Sequence, residues 1–266
     1  MKKTVLFLVC ILLCGVMAAC GGPDHSASSS QSDVSGAEGS TQQGFVDRST
    51  PSEGTEGLTP RQAYAESLLL LMNHNILPNG QETGPVISVS EMNSTFAVAD
   101  VDGDGREELV LQYTDTFSAG QMGMISEYNP EAGTMKTELT EAPFFTFYEN
   151  GLALAKWSHN QGKAGDFWPY TLYRHDPETD QYTFHGSVDA WEQKSFPDGY
   201  PAELDTSGSG YLYYLCDQPP MDWDTPVDLT VYEQWKADHL AGAKELDVNF
   251  LPLNEQNIRQ ITEQAD

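Results

Sequence analysis

Between Asp100 and Glu108 the chain reads DVDGDGREE, which places carboxylates at Asp100, Asp102 and Asp104 and a further one at the ninth position, Glu108. Crowded acids of this kind repel one another unless a cation neutralises them. Calcium is a hard ion that takes about six to eight oxygens, and alternate side chains on a tightly curved loop can converge on it. Gly105, at the sixth position, permits the curve, and Arg106 at the seventh would offer its backbone carbonyl with its side chain pointing away. The competing reading is an acidic turn without metal.

A second concentration of chemistry-bearing residues runs WSHNQGKAGDFWPY from Trp157 to Tyr170. Trp157, His159, Asn160, Asp166 and Trp168 combine aromatic faces with amide and carboxylate groups, a set that suits sugar or peptide ligands on a loop held by a rigid sheet. Alternatively the tryptophans fill the seam between two sheets and the polar residues make turns. For catalysis the chain offers little. It has no GxSxG, no HExxH, no phosphate-cradling GxxxxGK and no dinucleotide GxGxxG after a strand, and its histidines lack zinc-ligand spacing. His159 with Asp166 could form a base and its orienter, and so acidic a chain always contains carboxylate pairs of the kind glycoside hydrolysis uses.

Strands must position these loops. Short runs rich in Val, Phe, Tyr, Thr and Trp, separated by turn residues, predict eight of them: FAVADV, ELVLQY, MGMISEY and MKTELT, then FFTFYE, LALAKWS, YTLYRH and QYTFHGS. Asn150-Gly151 is a hairpin signal, since both residues tolerate positive φ. The similar turns NPEAGT and DPETDQ suggest a weak repeat of two four-stranded meanders. Helices flank them. Thr59, Pro60 and Gln62 predict a capped start, with Tyr64, Leu68, Leu71 and Met72 at helical spacing and Pro78-Asn79-Gly80 as the stop. Thr230 and Glu233 predict a second helix ending near Gly242, and Asn254 caps a third carrying Ile258 and Ile261.

The segment FAVADVDGDGREELVL, a strand, an acidic loop and a second strand, resembles the calcium loop of FG-GAP and VCBS-like repeats, found in integrin-type β-propellers and many bacterial surface proteins. Leu111 stands where an EF-hand carries its bidentate glutamate, so that loop type is excluded. The resemblance implies side-chain oxygens from Asp100, Asp102, Asp104 and Glu108, and the Arg106 carbonyl, around Ca2+. The family carries several copies around a closed propeller, and this chain has one. The expected fold is therefore mainly β, of α+β class, with about eight antiparallel strands in two propeller-blade-like meanders packed face to face and covered by the N- and C-terminal helices.

At the N-terminus, Lys2 and Lys3 precede the apolar run from Val5 to Ala19, and Cys20 is followed by Gly21 and Gly22. This is the pattern of a signal peptide over residues 1–19. Met17-Ala18-Ala19-Cys20 resembles a lipobox, with Met17 in place of the usual leucine, and implies lipid on Cys20 holding the chain to the outer face of a bacterial cell membrane. Residues 20–58, rich in Ser, Gly and Gln, read as a disordered tether spanning roughly 35 Å. Residues 59–266 form one domain.

Cys10 and Cys14 leave with the signal peptide, so Cys216 has no partner for a disulfide and reads as a small buried hydrophobe. The net charge of −27 excludes nucleic acid as a partner. The function these features imply is a lipid-anchored surface module that binds a glycan, wall fragment or protein. The other class is an extracytoplasmic hydrolase of envelope or environmental polymers. Oligomeric state is not encoded in any pattern of this kind.

Overall fold

A computed structural model describes residues 57–83, 94–116, 120–157 and 162–263. The signal peptide, Cys20, the tether as far as residue 56, and His159 and Asn160 lie outside the described residues.

Helix α1 (Pro60–His74) begins as its sequence requires: the Thr59 hydroxyl accepts the Gln62 N–H at 3.3 Å, and the Gln62 side chain accepts the Thr59 N–H at 2.8 Å. It ends earlier than Pro78, because Asn75 enters the left-handed region at φ 56° and returns its N–H to the last turn. Ala63, Tyr64, Leu68 and Leu71 form the buried face.

The eight expected strands all form. They are β1 (Thr95–Ala99), β2 (Glu108–Tyr113), β3 (Met122–Asn129), β4 (Thr134–Glu141), β5 (Phe144–Tyr148), β6 (Leu152–Lys156), β7 (Tyr170–Asp176) and β8 (Gln181–Glu192). β9 (Tyr211–Cys216), which buries Cys216, and two-residue β10 (Val227–Asp228) follow. Helix α2 (Leu229–Leu240) starts directly from β10. Its N-cap is Asp228, not Thr230, because the Asp228 carboxylate accepts both the N–H and the hydroxyl of Thr230. β11 (Leu251–Pro252) leads into α3 (Glu255–Glu263), where Asn254 accepts the Asn257 N–H at 2.9 Å.

The strands form two antiparallel sheets, of order β11-β1-β2-β3-β4 and β10-β9-β8-β7-β6-β5. Neither sheet closes on itself among the described residues, so no propeller ring is present. Instead the sheets face each other. Ala97, Val110, Ile125 and Leu139 of the first pack with Phe145, Phe147, Ala153, Ala155 and Tyr182 of the second. The outer face of the first sheet is covered by α1 and α3, whose Leu68, Leu71, Ile258 and Ile261 meet Phe96, Leu109, Leu111 and Met124. The outer face of the second meets Tyr232 and Trp235 of α2. Apolar side chains on both faces of each sheet explain why these strands read as dense apolar runs and not as strict alternation.

Each meander carries one irregularity, at a matching place. In β4, Thr137 and Leu139 pair with Ser126 and Ile125, leaving Glu138 as the extra residue of a bulge. In β8, Phe184 and Gly186 pair with Tyr173 and Leu172, leaving His185 extra. Both bulges stand four residues beyond the strand start, after hairpins that close on Gly133 (φ 66°) and Asp180 (φ 52°). A bulge turns a side chain off the regular alternation. At Glu138 this decides where an acid points.

Candidate metal centre

The acidic loop joins β1 to β2 at one end of the sandwich, and its shape comes from carboxylates binding backbone N–H groups. The Asp100 carboxylate accepts from Gly103 at 2.7 Å and Gly105 at 3.1 Å, Asp102 from the Asp104 N–H at 2.9 Å, and Asp104 from the Arg106 N–H at 2.8 Å. Gly103 and Gly105 have φ of 87° and 91°, which only glycine adopts without strain. The exit is fixed by α1: the Arg61 guanidinium makes two hydrogen bonds to Glu107, at 2.7 and 2.6 Å, and the Tyr64 hydroxyl donates to the Glu107 carbonyl.

Oxygens of Asp100, Asp102 and Glu108 lie within 4.8 Å of one another. A carboxylate has about four acceptor positions, so the N–H bonds leave capacity for an ion. Glu108 is 1 % exposed and accepts the Val101 N–H at 2.8 Å. Burial, augmented by the charges of Asp102, Glu138 and Asp104, pushes its carboxyl up to about 9. The Asp102 carboxyl is also raised, first by burial. A metal-free site therefore holds carboxylates that resist ionising, which a divalent cation would reverse.

Not every expected ligand converges. The Asp104 carboxylate is turned to the Arg106 guanidinium, at 2.7 Å from Nε. That guanidinium does not point away. It reaches Glu127 of β3 at 2.6 Å and Asp180 at 3.5 Å, across to the other sheet.

Asp102 also faces the second sheet. Its carboxylate lies 3.1 Å from His175 Nε2 on β7, and that nitrogen lies 3.3 Å from Asp180. Asp102, Glu138, His175 and Asp180 each offer a ligand atom within 4.8 Å of the others. Nothing local in the sequence announces that Glu138 of β4 meets His175 and Asp180 of the β7–β8 hairpin. The available signal was an acid, Glu138, inside an otherwise ordinary strand.

The aromatic loop divides. Trp157 is half-buried and its backbone N–H donates to the Pro169 carbonyl at 3.0 Å, while Phe167 packs edge-on against Tyr213 and Tyr232. Asp166 is exposed, and Trp168 is 42 % exposed with its ring edge-on to Phe144 at 6.3 Å. Trp168 thus does not fill the seam between the sheets.

No family model matches the chain, and no curated protein or solved structure matches it. Among the described residues no helix is long and apolar enough to cross a membrane.

Proposed function

We propose that this chain is a lipid-anchored extracytoplasmic binding module in which calcium staples the loop from Asp100 to Glu108 between β1 and β2. The observation that carries this reading is the convergence of Asp100, Asp102 and Glu108 at the seam, two of them buried, with too few cationic side chains to neutralise the surrounding acids. An all-oxygen donor set favours Ca2+ over softer ions. Affinity on the order of 10⁻⁴ to 10⁻³ M, usual for extracellular calcium modules, makes the ion a structural staple. The matched hairpins and bulges of β1–β4 and β5–β8 support two copies of one blade-like unit, joined face to face.

Exposed Trp168 supports a ligand surface at the β6–β7 loop, for a glycan, wall fragment or protein segment. One melting series tests metal and surface together. Wild type should melt higher with millimolar calcium than with chelator, Asp102→Ala should lose that difference, and Trp168→Ala should keep it while losing binding in a screen of glycans and wall fragments. Identical melting of wild type and Asp102→Ala under both conditions would sink the staple. The anchor is read by fractionation: the native chain should sediment with membranes and Cys20→Ser should stay soluble.

A further inference from the structure

Glu138 is 4 % exposed, and neither oxygen of its carboxylate has a hydrogen-bond partner. Beside it the hydroxyl of Tyr182, 7 % exposed, is likewise buried without a partner. The Tyr182 ring stacks obliquely on His175 at 5.4 Å, and the carboxylates of Asp102 and Glu138 act on its hydroxyl. Buried polar atoms left unpaired are expensive, and a group of them facing one point marks something that completes the site. The bulge in β4 is what brings the Glu138 carboxylate here.

We propose that Asp102, Glu138, His175 and Asp180 form a second cation site, adjoining the calcium loop through Asp102, that takes a first-row divalent transition ion such as Zn2+ or Mn2+. One imidazole nitrogen with three carboxylate oxygens is a donor set that calcium disfavours and these ions accept. His175 Nε2, 3.1 Å from Asp102 and 3.3 Å from Asp180, is the nitrogen donor. Local counter-charge is already committed: Lys136 Nζ holds the other oxygen of Asp180 at 2.7 Å, and Arg106 is shared among Asp104, Glu127 and Asp180. Neither cation makes a hydrogen bond to Glu138. The ion would tie the first sheet, through Asp102 and Glu138, to the second, through His175 and Asp180.

The site shares Asp102 with the calcium loop, so the test leaves Asp102 intact. Calcium-saturated wild type is titrated with Zn2+ and with Mn2+, and metal content is read after desalting. One further equivalent of Zn2+ or Mn2+ should be retained without loss of calcium. Glu138→Gln and His175→Gln should each weaken that uptake at least tenfold while preserving the calcium-dependent rise in melting temperature. Asp180→Asn, at a half-buried turn residue, serves if either interior variant fails to fold. The proposal is overturned by absence of uptake, by one-for-one displacement of calcium, or by uptake that survives the substitutions. The last result would place the ion elsewhere, for example at the His185–His239 pair, whose rings are 5.0 Å apart. Failure of this test leaves the calcium melting result standing.

Discussion

Gly151, at the tip of the β5–β6 hairpin, has a φ of 73°, and a Cβ there would stand 3.0 Å from the Asp102 carbonyl oxygen and 3.6 Å from His175 Cβ. The turn glycine is therefore also the floor on which the acidic loop rests. Gly151→Ala adds left-handed strain and pushes on the loop. We expect it to destabilise the fold by about 1–2 kcal/mol and to weaken calcium binding, both measured by melting across a calcium titration. Full stabilisation by calcium with unchanged affinity would show that the hairpin and the loop are independent. At this scale the sequence was informative wherever chemistry is local. The convergence of Asp100, Asp102 and Glu108 could be read because acids a few residues apart on one loop leave a spacing. Glu138, His175 and Asp180 leave none. The role of Arg106 was also hidden, since its partners are Glu127 of β3 and Asp180 of the β7–β8 turn.

Helix α2 sits on the second sheet where β8 carries Gly186. A Cβ on Gly186 would fall 2.6 Å from Trp235 Cζ2 and 3.1 Å from His239 Cδ2. Trp235 in turn stacks on His239 at 3.7 Å and donates its indole N–H to Asp217 at 2.6 Å. Gly186→Ala must lift the helix, at a cost of roughly 1–3 kcal/mol for overpacking a tight contact. The calcium-dependent difference in melting should survive, because the loop lies on the opposite face of the sheet. Strands and helices were the most legible elements, since eight strands have dense β-formers between turn residues and the caps of α1 and α3 stand where their residues place them, whereas α2 is capped by Asp228 and not Thr230. β10 and β11 escaped because two residues carry no period. β9, YLYYLC, has strand composition but follows a long irregular segment. The early end of α1 depends on Asn75 adopting φ 56°, which an asparagine permits without requiring.

For the whole molecule, the cost of the acidic interior appears as pH dependence. In the metal-free fold, burial raises the Glu138 carboxyl to about 8 and the Glu108 carboxyl to about 9, from 4.5. Below 4.5 these groups are neutral in folded and unfolded chains alike, and their contribution is fully present. As pH rises through their folded values, the unfolded chain has already released protons that the folded chain must now give up in a buried site, so stability is lost. Chelated protein should therefore melt progressively lower between pH 5 and roughly 9. Calcium-saturated protein should show a smaller decline, since the ion favours ionised Glu108 and leaves the share due to Glu138 in place. Parallel declines with and without calcium would mean that Glu108 is not its ligand.

β11 has a further consequence, for the order in which the molecule can be made. Residues 251–252 supply the strand beside β1, Thr95 opposite Pro252 and Phe96 opposite Leu251, and α3 behind them helps to cover the same sheet as α1. The first sheet thus waits for residues 251–263 before its edge and outer face are complete. On the export proposed above, a polypeptide delivered N-terminus first through a membrane pore would keep that sheet open during passage. Closure would then fall on the far side, where the proposed calcium could meet the newly formed loop.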